Sequence, residues 1–215
     1  MKREDLQLYF IMGTSNVPPQ QQPIYILEKA LQAGITMFQF REKGPHALTG
    51  LAYEQFARQC QKLCHQYNVP FIVNDDIELA IRLEADGVHI GQDDFPVGEA
   101  RKKIGNMILG VSVHCEEELQ IAINHQADYV GIGPIFPTSS KSDARPPCGT
   151  SFLQQARSLH PELPIVAIGG INCTNAQTVF QTGGADGVAV ISAICESEDV
   201  EHTVNTFRSL SCINK

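Results

Sequence analysis

Short apolar runs recur along the chain at 8–12 (LYFIM), 37–41 (MFQFR), 71–74 (FIVN) and 87–90 (GVHI). Four more stand at 108–113 (ILGVSV), 129–135 (YVGIGPI), 164–170 (PIVAIGG) and 187–192 (GVAVIS). Most give way to amphipathic stretches such as LTGLAYEQFARQCQKLCHQY, EEELQIAINHQ and VEHTVNTFRSL. Brief apolar runs bounded by chain breakers read as strands buried on both faces, and the stretches between them as helices. Eight alternating strand–helix units predict an α/β fold, a (β/α)8 TIM barrel formed as a single domain over residues 1–215. The chain is compact for that fold, which typically takes about 250 residues. An open, doubly wound sheet is the alternative arrangement of the same units.

An internal repeat supports the count. EADGVHI (84–90), QADYVGI (126–132) and GADGVAV (184–190) share the order Ala-Asp-x-Val and are spaced by two units each. They open strands 4, 6 and 8, which puts Asp86, Asp128 and Asp186 in turns at the N-terminal face of the barrel. Chemistry in this fold sits at the opposite face, so these three acids are expected to shape turns. Glu78 and Glu84 are expected on the solvated face of a short helix.

Polar residues collect where the strands end. Gln39, Arg41 and Lys43 follow strand 2, and alternation sends the first two to one side. Asn74 and Asp75 follow strand 3, Gln92, Asp93 and Asp94 follow strand 4, and Ser112 and His114 end strand 5. Strand 6 runs into Thr138, Ser139, Ser140 and Lys141, strand 7 into Gly169–Gly170, and strand 8 into Ile191–Ser192. Asp75 and one of Asp93/Asp94, on neighbouring strands, can converge on one cation. Few oxygen ligands, with water filling the rest, suit Mg2+ carrying a substrate phosphate. Arg41, Lys43 and Lys141 would face the same volume, which together reads as a diphosphate site. The glycines of AIGGIN and the amides of VISAI offer a second anion site after strands 7 and 8. Two phosphorylated substrates, or one long one, would fit.

Composition narrows the class. A net charge of −8 argues against a nucleic-acid partner. No run approaches the length of a membrane span, and the N-terminus lacks the pattern of a secretory signal. Seven scattered cysteines without a C-x-x-C pair suit a reduced, cytoplasmic protein. No nucleophile elbow and no dinucleotide fingerprint appears, so covalent and nicotinamide chemistry are unsupported. A homodimer would suit exposed barrel helices, which often pair.

The ordered set QFREKG, VNDD, DGVHIGQDD, GVSVH, GIGPIFPTSSK, AIGGI and DGVAVISAI resembles the thiamine-phosphate synthase family over strands 2 to 8. The resemblance implies a transferase of thiamine biosynthesis that couples a pyrimidine diphosphate to a thiazole phosphate and releases diphosphate. It implies that Gln39, Phe40, Arg41, Glu42, Lys43, Asn74, Ser112 and Lys141 hold the pyrimidine diphosphate. Arg41, Lys43, Ser112 and Lys141 would be the catalytic group among them. It further implies Asp75 and Asp94 as Mg2+ ligands, and Thr138, Ser139, Ser140, Gly170, Ile191 and Ser192 around the thiazole phosphate. Three stretches depart from the family pattern: Ser142 follows Lys141, QTGGADGV has an extra glycine, and the first strand ends in MGTSN. The alternatives are a thiazole tautomerase on the same barrel, with His114 as its base, and a non-catalytic phosphate-binding barrel.

Overall fold

The computed structural model describes residues 1–44, 46–140 and 145–212. The strands are β1 (Leu8–Met12), β2 (Met37–Phe40), β3 (Phe71–Asn74), β4 (Gly87–Ile90), β5 (Ile108–Val113), β6 (Tyr129–Ile132), β7 (Ile165–Ile168) and β8 (Gly187–Val190). All pair in parallel and in sequence order, and β1 pairs with β8 to close the barrel. The expected TIM barrel is therefore the observed one, and the open sheet is not.

Helices α1 (Pro23–Ala33), α2 (Gly50–Gln66), α3 (Ile77–Leu83), α4 (Val97–Ile104), α5 (Glu116–Asn124), α6 (Ser151–Leu159) and α7 (Ala176–Gln181) link successive strands. After β8 come two helices, where the sequence pattern predicts one: α8 (Ser192–Cys195) precedes α9 (Val200–Cys212). Glu84 caps the end of α3 in a left-handed conformation instead of lying on its face. No helix among the described residues is long and apolar enough to cross a membrane. Cys60 and Cys64 are both buried on one face of α2, one helical turn apart.

The barrel carries an outer layer of aromatic rings. Phe10, Phe38, Phe71 and Phe40 stack from strand to strand, and Phe40 also packs on Tyr53 and Phe56 of α2. These rings fill the space between strands and helices. Alternation then turns Tyr9, Gln39, His89 and Ser112 inward.

The N-terminal face is braced by one repeated device. Asp86, Asp128 and Asp186 each accept, at 2.8 Å, the first or second N–H of the strand before: Phe71, Leu109 and Ile165. Thr36, just before β2, takes the N–H of Leu8 in the same way at 2.9 Å. The barrel is thus four like βαβ quarters. Arg157 adds a 2.7 Å bond to Asp186, and Arg101 a 2.5 Å bond to Asp128.

Candidate active site

One cavity opens at the C-terminal ends of the strands, lined by residues from the β2 end round to the β8 end. Asp75 follows β3 with φ at 61°, a left-handed turn that costs a non-glycine residue about 1 kcal/mol. Its N–H is held by the His89 carbonyl at 2.9 Å, and Asn74 Nδ2 donates to its Oδ2 at 2.5 Å. Asp94 comes from the loop after β4, where its Oδ2 accepts the Gly91 N–H at 3.0 Å. The Lys43 ammonium lies between them, paired with Asp75 and 3.3 Å from Asp94. Arg41, 7% exposed, lines the same cavity.

Burial raises the Asp75 carboxyl above its ordinary range, and the Asp94 charge adds to this against Lys43. Asp94 lies below its range: burial opposes, but Lys43 and the Gly91 N–H outweigh it. Burial would lower the Lys43 ammonium, yet the two carboxylates carry it upward. Two carboxylates thus share one lysine, an arrangement that a dication would satisfy better. No group of three or more His, Cys, Asp or Glu gathers for a metal among the described residues. Two carboxylate ligands completed by water and substrate oxygens are what a hard ion such as Mg2+ accepts.

The opposite wall contains Thr138, Ser140, Gly169, Gly170, Ile191 and Ser192. Ser140 Oγ donates to Ser192 Oγ at 3.2 Å, which ties the β6 loop to the start of α8. Gly170 has φ at 64°, and a Cβ there would lie 2.4 Å from the Pro137 carbonyl oxygen. Only glycine lets these two loops close against each other. Hydroxyls and backbone N–H groups, with no described lysine or arginine among them, suit a phosphate bound largely by backbone.

Several expected side chains face elsewhere. Gln39 is 1% exposed, inside the barrel below the cavity, and donates to Tyr9 Oη. Phe40 belongs to the outer aromatic layer, because it alternates with Gln39 along β2. Glu42 turns away to receive the Thr14 N–H at 2.7 Å and the Leu48 N–H at 2.8 Å, bracing two loops. Ser139 is exposed and does not line the cavity. Lys141 lies outside the described residues.

The second acid of each pair is also placed. Asp76 caps α3 by accepting the Leu79 N–H at 2.9 Å. Asp93 is 95% exposed, with Arg145 3.6 Å away. His114 lines the cavity and is tethered by Glu118, which takes both its N–H at 2.7 Å and its Nδ1 at 2.9 Å. Burial opposes ionisation of Glu118, but His114 and Arg145 hold its carboxyl below the usual range. Arg145 also lines the cavity, and nothing in its sequence surroundings marks it.

The thiamine monophosphate synthase family model matches residues 8–194. The chain is 75% identical, over the full length of both, to a thiamine-phosphate synthase of Lysinibacillus sphaericus. The chain belongs to the thiamine monophosphate synthase family. A second relative in it, the thiamine-phosphate synthase of Geobacillus kaustophilus, is 53% identical over 91% of this chain and 87% of its own. Among solved structures, thiamine phosphate pyrophosphorylase from Pyrococcus furiosus superposes with a TM-score of 0.86 at 32% identity. It covers 99% of this chain and 98% of its own.

Proposed function

We propose that the cavity is where this transferase of thiamine biosynthesis joins 4-amino-2-methyl-5-(diphosphooxymethyl)pyrimidine to a thiazole phosphate, giving thiamine phosphate and diphosphate. The thiazole partner is 4-methyl-5-(2-phosphooxyethyl)thiazole or its carboxylated tautomer. The observation that carries this reading is that one cavity has a cationic, carboxylate-bearing wall and a hydroxyl- and glycine-rich wall facing it. Each wall suits one phosphorylated reactant.

Arg41 and Lys43 meet the diphosphate oxygens, and Asn74 holds the Asp75 carboxylate in place. Asp75 and Asp94 would hold Mg2+, which when bound supplies charge neutralisation on the departing diphosphate. Lys43, now paired with both acids, then has a phosphate oxygen to turn to. The pyrimidine methylene loses diphosphate to leave a cation stabilised by the aminopyrimidine ring. The thiazole nitrogen attacks with its own lone pair, so no side chain has to deprotonate a nucleophile. Thr138, Ser140, Gly170 and Ser192 align that partner, and alignment of two bound reactants removes much of the entropic barrier.

The test follows diphosphate release from both substrates with and without Mg2+. Release should need both substrates and the metal. Full turnover in EDTA, or none with everything present, would overturn the reading.

A further inference from the structure

A polar chain crosses the barrel interior, and the reaction scheme above leaves it without a role. Gln39 Nε2 donates to Tyr9 Oη at 2.8 Å, and Tyr9 and Tyr129 share a hydroxyl–hydroxyl bond of 2.8 Å. Tyr129 Oη lies 3.1 Å from His89 Nδ1, and His89 Nε2 lies 2.9 Å from Ser112 Oγ. Five strands each contribute one member. Gln39, Tyr9 and Tyr129 are buried and do not line the cavity, whereas His89 and Ser112 do. The chain therefore begins in the core and ends at the cavity.

Space has been made for it. A Cβ on Gly110 of β5 would lie 2.2 Å from Tyr129 Cζ and 2.5 Å from His89 Nδ1. Packing alone does not ask for these hydroxyls, since exchanging both members of a buried polar pair for apolar groups of like shape is close to neutral. A buried chain of donors and acceptors does fix proton order, because each hydroxyl has one proton to give. Gln39 gives an N–H to Tyr9, so the Tyr9 proton goes to Tyr129 and the Tyr129 proton to His89 Nδ1. The imidazole must then keep its own proton on Nε2 and donate it to Ser112 Oγ. That bond occupies an Oγ lone pair and leaves the Ser112 O–H for the cavity. Burial pushes both tyrosine hydroxyls well above their ordinary range, so neither gives up its proton.

We infer that His89 is a positioning residue: the chain from Gln39 through Tyr9 and Tyr129 fixes its Nε2–H tautomer, and that tautomer makes Ser112 a dedicated hydrogen-bond donor to an anionic oxygen of the departing diphosphate. The identity of the acceptor rests on the reaction proposed above; the proton order does not. A donor oriented before the charge develops needs no reorganisation at the moment of bond breaking.

Two measurements test it. The first is nitrogen NMR of the free, 15N-histidine-labelled protein, with the His89 signals assigned by their loss in His89→Gln. The expected form is protonated at Nε2 and bare at Nδ1. A proton on Nδ1 would overturn the inference, because the chain would then run backwards and make Ser112 an acceptor from the cavity.

The second is a mutant cycle on diphosphate release. Tyr129→Phe, at a buried residue that does not line the cavity, should lower kcat about tenfold with KM for the pyrimidine diphosphate nearly unchanged. It should add no loss to Ser112→Ala; additive losses overturn the inference. His89→Gln, which can still present an N–H to Ser112, should retain more activity than His89→Leu, and equal losses count against it. Circular dichroism checks that each variant folds, and the labelled wild-type protein decides the proton order even where one does not. If the wild-type protein releases no diphosphate, the reaction is wrong, while the tautomer still judges the chain.

Discussion

The two ends of the barrel use aspartate in opposite ways. At the N-terminal face, Asp186 is 14% exposed and its Oδ2 is committed to the Ile165 N–H and the Arg157 guanidinium. Asp128 has the same partners in Leu109 and Arg101. At the other face, Asp75 and Asp94 lean on a single lysine, and burial drives Asp75 above its ordinary range. A saturated carboxylate is finished as structure. One that shares its lysine with a second acid, on a strained backbone, is what the proposed metal site calls for.

The comparison breaks or holds first at Asp75 and Asp94, the pair proposed to hold the metal. Asp94→Ala should lower diphosphate release about 10³-fold, the scale of losing a charge-stabilising group. Its circular dichroism and urea midpoint should stay those of the wild type; a large fall in midpoint would mean that Asp94 is structural. Asp186→Ala should do the reverse. It orphans an amide and an arginine at once and should cost about 2–3 kcal/mol in urea unfolding, with the rate per folded molecule preserved. Asp86 is the sharper case, because it is 41% exposed and has an imidazole, His65 Nε2 at 3.7 Å, where Asp128 and Asp186 have an arginine. Asp86→Ala should therefore cost only about 1 kcal/mol, essentially the Phe71 amide bond. Inactivation of a stable Asp86→Ala protein would show that the division between the two faces is wrong.

The smallest effect concerns an acid near the cavity that is saturated all the same. Glu118 serves His114 and Arg145, which hold its folded carboxyl below the unfolded value of 4.5. A depressed acid adds stability above its unfolded value and loses it as pH falls through the folded value. Glu118→Gln should thus cost about 1 kcal/mol at neutral pH, with the gap to wild type closing as pH drops below 4.5. Melting curves across that range check the sign.

Alternation and loop position along the chain were enough to sort the acids by face, since a strand's direction decides which end each turn occupies. Depth was harder to read. Gln39 and Arg41 share a side of β2, yet one lies in the core and the other at the cavity, because barrel layers differ by only two residues. Phe40 and Glu42 fall within a contiguous motif whose odd and even members part company on folding. Tyr9 and Tyr129 read as ordinary apolar strand residues, and nothing along the chain announces that their hydroxyls meet across 120 residues. The short helix α8 after β8 was hidden because four residues are too few to show a period.

The braces at the N-terminal face also bear on how the ring is assembled in time. Each lies inside one βαβ quarter and spans only 28, 15, 19 or 21 residues, whereas joining β1 to β8 needs nearly the whole chain. Short loops close before long ones, so each quarter has its own clasp fastened while the circle is still open. Asp128→Ala should accordingly slow folding more than it speeds unfolding, and stopped-flow chevrons showing the opposite would place the clasp after closure.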